Sequence, residues 1–156
     1  MSVFRQPKII TLDTETIGLD GKLKRLAIYD GKEVTYGYTY WDIYPKLKAF
    51  YDMDYMPEIY IHNADFDLRK MPEIFDIGNV YWNKTKKIGN RYARLCCKHY
   101  TIHDSFKILP SSLAKLSKDF ELSNAKLDLW DEVQKVYPGE YENHVDFPNR
   151  CHPDNE

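Results

Sequence analysis

The stretches Lys8-Ile9-Ile10-Thr11-Leu12-Asp13-Thr14-Glu15-Thr16 and Glu58-Ile59-Tyr60-Ile61-His62-Asn63-Ala64-Asp65-Phe66-Asp67 decide the fold. Each is a short apolar run that breaks into acids. The first reads as a strand over Lys8–Asp13. The second reads as a strand over Glu58–His62, a polar turn, and then a helix over Phe66–Phe75 that continues despite Pro72. Strand followed by turn and helix is the unit of a layered α/β domain.

The remaining elements extend this reading. Leu23–Tyr29 and Glu33–Tyr40 are two strands joined at Asp30-Gly31, a hairpin signal. Ile43, Leu47 and Phe50 recur at helical spacing within Trp41–Met53. Tyr92–Tyr100 and Thr101–Ile108 read as a hairpin. After Pro110, Ser111 or Ser112 can cap a helix carrying Leu113, Leu116 and Phe120 on one face. The sum is a mixed sheet, begun by three antiparallel strands and flanked by helices. Beyond Lys135 the chain turns rich in Pro, Gly, Asn and Asp, so residues 1–135 are expected to form the domain and 136–156 an acidic, loop-rich tail.

Composition bounds the function. The chain has 156 residues, enough for one domain, and 43% are hydrophobic, too many for a disordered chain. A formal net charge of −2 excludes a uniformly basic nucleic-acid coat but leaves room for a local site. The charge is uneven. Trp82–His99 holds six basic residues and no acid, whereas Asp119 to the end holds ten acids and three bases. The basic stretch is either a solvated face or a phosphate contact. No apolar run is long enough for a membrane span, and Met1–Lys8 lacks the apolar core of a signal peptide. Three cysteines, two of them the neighbours Cys96 and Cys97, suit reduced thiols in a cytoplasm.

Asp13 and Glu15 are two residues apart in an extended segment, so they share a face about 7 Å apart. Like charges held so close repel unless a cation accompanies them, and oxygen donors suit Mg²⁺ or Mn²⁺. The pair also has a plainer reading as solvent-facing acids at a strand end. Asp65 and Asp67 fall in the first turn of a helix, where a carboxylate is favoured simply as a cap. If the two strands are neighbours, however, Asp13, Glu15 and Asp67 meet at one edge. Three gathered acids are easier to justify as a two-metal site than as structure.

Asp13-Thr14-Glu15-Thr16 resembles the first motif of proofreading 3′–5′ exonucleases, and Asn63-x-x-Phe66-Asp67 resembles their second. The run His103-Asp104-Ser105-Phe106-Lys107-Ile108-Leu109-Pro110, then Leu113-x-x-Leu116-x-Lys118-x-Phe120, is similar to a stretch of the protein-primed family B DNA polymerases of phages and linear plasmids. Lys126-Leu127-Asp128-Leu129 is similar to their Lys-x-x-hydrophobic motif. The ordered set spans about Lys8 to Trp130.

This resemblance implies a ribonuclease H-like (DnaQ-like) fold and hydrolysis of the terminal phosphodiester of single-stranded DNA, releasing nucleoside 5′-monophosphates. It implies Asp13, Glu15 and Asp67 as holders of two Mg²⁺ or Mn²⁺ ions. Thr16, Asn63, Phe66, Ser105 and Phe106 would grip the 3′ end, and Lys126 would act on the scissile phosphate. The implied partners are a single-stranded 3′ end, the rest of a polymerase chain and a terminal protein, in the cytoplasm of a bacterial host. One later motif of the family has no match in the tail. Tyr-x-x-x-Asp would need Asp four residues after Tyr137 or Tyr141, where Tyr141 and Val145 stand, and the variant His-x-x-x-x-Asp meets Asn149 after His144. The expectation is therefore the front of a longer polymerase, truncated before the third motif, with a stable fold and weak or absent cutting. The alternatives are a non-catalytic single-strand binder and a stand-alone nuclease.

Overall fold

A computed structural model describes residues 4–17, 21–77 and 79–123. They fall into two compact units, Met1–Glu15 with Leu23–Pro110, and Thr16–Lys22 with Ser111–Glu156. The expected boundary at residue 135, the acidic tail and Lys126 lie outside the described residues.

The strands are β1 (Gln6–Thr16), β2 (Leu23–Tyr29), β3 (Val34–Gly37), β4 (Tyr55–Ile61), β5 (Lys86–Ile88), β6 (Arg91–Cys96) and β7 (Thr101–Asp104). They form one mixed sheet in the order β3-β2-β1-β4-β7-β6-β5. The helices are α1 (Tyr40–Asp52), α2 (Ala64–Arg69), α3 (Glu73–Ile77) and α4 (Leu113–Asp119), with a 3₁₀ turn at Ser105–Lys107. The expected α/β architecture, a mixed sheet flanked by helices, is present. No helix among the described residues is long and apolar enough to cross a membrane.

Three central strands run parallel. β1 pairs with β4 from Gln6↔Tyr55 to Thr11↔Tyr60, and β4 pairs with β7 from Glu58↔Thr101 to Ile61↔Asp104. Their carboxyl ends therefore open on the same side, where layered sheets collect ligands. β1 runs on to Thr16, past the last residue of β4 at Ile61. That overhang exposes backbone for side chains from the β4–α2 turn to reach.

The core lies on one face of the sheet. Ile10, Leu12, Ile59, Ile61, Leu95 and Ile102 pack there against Ile43, Leu47, Leu68, Met71 and Ile74 of the helical layer. Each of these is at most 5% exposed, and burying one such side chain stabilises by about 1.5–3 kcal/mol. Inside the core the Tyr40 and Tyr100 hydroxyls hydrogen-bond at 2.7 Å, so neither buried ring carries an unpaired polar tip. Asp42 steadies the start of α1 by accepting from the backbone N–H groups of Tyr38 and Thr39 at 2.7 and 2.9 Å.

Several boundaries differ from the sequence reading. Phe66–Phe75 is not one helix. α2 ends at Arg69, and α3 begins at Glu73 after Pro72, which lacks the N–H a continuing helix needs. Thr101–Ile108 is a strand only to Asp104, whose side chain caps the 3₁₀ turn by accepting from Phe106 N–H at 3.0 Å. Glu33–Tyr40 shortens to β3, because α1 starts at Tyr40. β5 was not foreseen. All three of its residues are exposed, so it shows no alternation. In the second unit Ser112 caps α4 by accepting from Lys115 N–H at 3.2 Å. On α4, Leu113 is 46% and Phe120 59% exposed, while Leu116 is half-buried.

Candidate functional site

The parallel strands deliver two acidic or polar clusters to one edge. Along β1, Ile10 and Leu12 are buried while Thr11, Asp13 and Glu15 are exposed. The period of two thus sets both carboxylates on the face away from the core. Thr14, between them, turns the other way and is half-buried.

Asp67 comes from α2, directly after the end of β4. It is 4% exposed. Thr14 Oγ1 donates to Asp67 Oδ1 at 2.5 Å, and the Thr14 backbone N–H also favours the charged carboxylate. The overhang of β1 is what provides these donors. Burial pushes the Asp67 carboxyl up to about 6, the Thr14 hydroxyl pulls it down, and the charge of Asp13 pushes it up again. Asp13 and Asp67 therefore sit close enough to feel each other, as the adjacency of the two strand ends requires.

These are hard oxygen donors, the kind that divalent cations such as Mg²⁺ take. The donor set fits Mg²⁺ or Mn²⁺ in kind, with Asp13 beside Asp67 and Glu15 on the face of Asp13. Among the described residues, no group of three or more His, Cys, Asp or Glu side chains is already arranged to hold a metal ion. Asp67 is turned to Thr14 instead.

The second cluster frames the turn between β4 and α2. Asn63 is exposed and takes a left-handed backbone (φ 63°, ψ 54°), which Asn tolerates better than most residues. Its N–H donates to Asp104 Oδ1 at 3.0 Å. Asp104 is 2% exposed and so ties the Asn63 turn to the 3₁₀ turn that carries Ser105 and Phe106. His62 joins the same link. Its Nδ1 lies 3.0 Å from Ser105 Oγ, and its ring meets Phe106 edge-on at 5.4 Å. Ser105 Oγ also donates to the Ile61 carbonyl at 3.3 Å. Phe66 and Phe106 are both half-buried, leaving ring surface for a ligand, and the Lys70 ammonium lies 5.3 Å from the Phe66 ring centre.

The structure thus brings together Asp13, Asp67, Asn63, Phe66, Ser105 and Phe106 at the ends of β1, β4 and β7, with Glu15 two residues beyond Asp13. Thr16 closes β1 and belongs to the second unit. Thr14, His62 and Asp104 were not singled out from sequence. A hydroxyl between two acids, and an acid directly before the Ser105-Phe106 pair, were the available signals.

No family model matches the chain, and no curated protein matches it. By shape it is similar to phi29 DNA polymerase. Against that enzyme complexed with primer-template DNA and incoming nucleotide, the TM-score is 0.55 at 19% identity, over 79% of this chain and 24% of that one. Against its orthorhombic crystal form the TM-score is 0.56 at 19% identity, over 78% and 24%. The chain spans about a quarter of the length of those relatives (24%). The shared feature is the fold, and it is found in a DNA polymerase, the kind of enzyme the motifs resemble.

Proposed function

We propose that this chain is a 3′–5′ exonuclease domain of the polymerase-proofreading kind, acting on the single-stranded 3′ end of DNA. The observation that carries the reading is that Asp13 on β1 and the buried Asp67, just beyond β4, lie at the same end of two paired parallel strands, near enough for the charge of Asp13 to act on Asp67. Asp13, Glu15 and Asp67 would hold two Mg²⁺ or Mn²⁺ ions. Bound there, such ions supply activation of a water and stabilisation of the leaving 3′ oxygen.

The chain's own residues do the rest. The Phe66 ring offers a stacking surface that any terminal base can use. Asn63, Ser105 and Phe106 stand on two turns at the same end of the sheet and would grip the strand. Asp104 positions them by holding both turns. Thr14 keeps Asp67 ionised against its burial, so that the carboxylate is available as a ligand. Lys126 is assigned to the scissile phosphate on its motif alone.

Chromatography of products from a 3′-labelled oligonucleotide tests this reading. With Mn²⁺, labelled nucleoside 5′-monophosphate should appear from a single strand well before it appears from a blunt duplex. Labelled dinucleotides or internal fragments instead would show an endonuclease and overturn the proposal.

A second reading has its own support. Asp67 is turned to Thr14, and among the described residues no group of three or more acids, histidines or cysteines is arranged around a metal. This arrangement favours a module that holds a single strand without cutting it. Binding without release of mononucleotide in the same experiment would select it.

A further inference from the structure

The sheet face that carries Asp13 and Glu15 holds a second feature away from them. Strand register places Lys86 opposite Arg94, Arg94 opposite His103, His103 opposite Tyr60, and Tyr60 opposite Thr11. Directly paired residues share a face, so these five form a row across β5, β6, β7, β4 and β1. At its β5 end the row borders a cavity of about 460 Å³, lined by Glu58, Lys84, Lys86, Arg94 and His103 among others. That volume is in the range of small-ligand sites.

The charge of the cavity is positive. Its one lining carboxylate, Glu58, is taken up by His103 Nε2 at 2.5 Å, and the His103 ring stacks on Tyr60 at 4.9 Å. The two lysine ammoniums and the guanidinium remain. Arg94 is under-used, because Nη2 donates to the Lys84 carbonyl at 3.2 Å while Nε is buried without a partner among the described residues. Beside the cavity wall, Tyr81 is 42% exposed, and the Lys84 ammonium lies 5.4 Å from its ring centre. A cationic pocket beside an open aromatic face is the pairing that holds a single nucleic-acid strand, phosphate in one and base on the other.

We infer that the cavity formed by Lys84, Lys86 and Arg94 is a second nucleic-acid subsite, which binds backbone phosphate of a single strand on the sheet face shared with Asp13. The spacing from β1 to β5 is four strands, roughly 19 Å, so one strand can lie across both features. The inference does not need the nuclease reading, because the cavity binds without a metal.

The test is fluorescence anisotropy of a labelled oligothymidylate with the full chain in EDTA, across a salt series. The double variant Lys84→Gln/Lys86→Gln should bind roughly tenfold more weakly at low salt and flatten the log–log salt slope by about 1.4, which is two single-strand phosphate contacts. Arg94→Gln should weaken binding similarly. A control pair of exposed lysines elsewhere, Lys32→Gln/Lys48→Gln, carries the same charge change. An equal loss in the control would reduce the effect to net charge and overturn the subsite. Inorganic phosphate should displace the oligonucleotide no better than chloride of equal ionic strength. Saturable phosphate binding that is lost in the double variant, with oligonucleotide affinity unchanged, would assign the cavity to a free phosphate and overturn the strand assignment. Thermal melts of the variants, expected to match the parent, separate lost binding from lost folding.

Discussion

Replacing Asp67 by Asn should make the metal-free protein more stable at neutral pH. Most substitutions of a buried hydrogen-bonded group do the opposite. Asp67 is 4% exposed, and its carboxyl is pushed from its ordinary 3.8 up to about 6, first by burial and then by Asp13. The raised value means that the native state disfavours the charged form by about 3 kcal/mol. Between pH 3.8 and about 6 the folded chain keeps a proton that the unfolded chain has released. This group therefore lowers stability as pH rises through that window, and the full loss is present above it. Asn keeps an oxygen to accept from Thr14 and never charges. By urea denaturation at pH 7.5 in EDTA, Asp67→Asn should gain about 1–3 kcal/mol over the parent. At pH 4 the two should agree to about 0.5 kcal/mol. Asp30, held down to about 2 by the N–H groups of Glu33 and Lys32, titrates alike in both proteins and cancels in the difference. A variant less stable than the parent at pH 7.5, or a difference that does not change with pH, would refute the reasoning.

Other outcomes follow from the same contacts. Thr14→Val removes the hydroxyl that keeps Asp67 charged and should cost about 1.5–3 kcal/mol at pH 7.5, with a smaller cost at pH 4, by the same denaturation series. Asp104→Ala orphans the N–H groups of Asn63 and Phe106 and should cost about 2–4 kcal/mol while weakening oligonucleotide binding, read by melting and anisotropy together. Phe66→Ala should leave stability nearly unchanged and weaken single-strand binding by about 1–3 kcal/mol, because the half-buried ring is offered to a base. Tyr100→Phe leaves the Tyr40 hydroxyl buried without its partner and should cost about 1–3 kcal/mol with no change in DNA affinity.

The strands that were legible in the sequence were those with a buried face or a turn signal. β2 matches its expected span of Leu23–Tyr29, because Asp30-Gly31 fixes its end and Leu26 and Ile28 alternate inward. β5 was invisible, since an exposed edge of Lys86-Lys87-Ile88 has no pattern to read and exists only through its pairing with β6. Pro72 divides the expected helix into α2 and α3, because it lacks the N–H that a continuing helix needs. At the site, spacing alone gave the shared face of Asp13 and Glu15. The nearness of Asp13 to Asp67 depends on β1 and β4 being neighbours. What spacing could not give was the orientation of Asp67. Its bond to Thr14 depends on β1 outrunning β4, a feature of register rather than of composition. Asp104 was hidden for a similar reason. Its role is to accept from two turns that come together only in the folded sheet.

Asp13, Glu15 and Asp67 are proposed to form one divalent-cation site at the ends of parallel strands. Calorimetric titration of the chain with Mn²⁺ at pH 7.5, beside Asp13→Asn and Asp67→Asn, tests this most directly. The parent should bind saturably, and either variant should lose at least tenfold in affinity while remaining folded. Equal binding curves for all three proteins, or no binding by the parent in the presence of a single-stranded oligonucleotide, would contradict it.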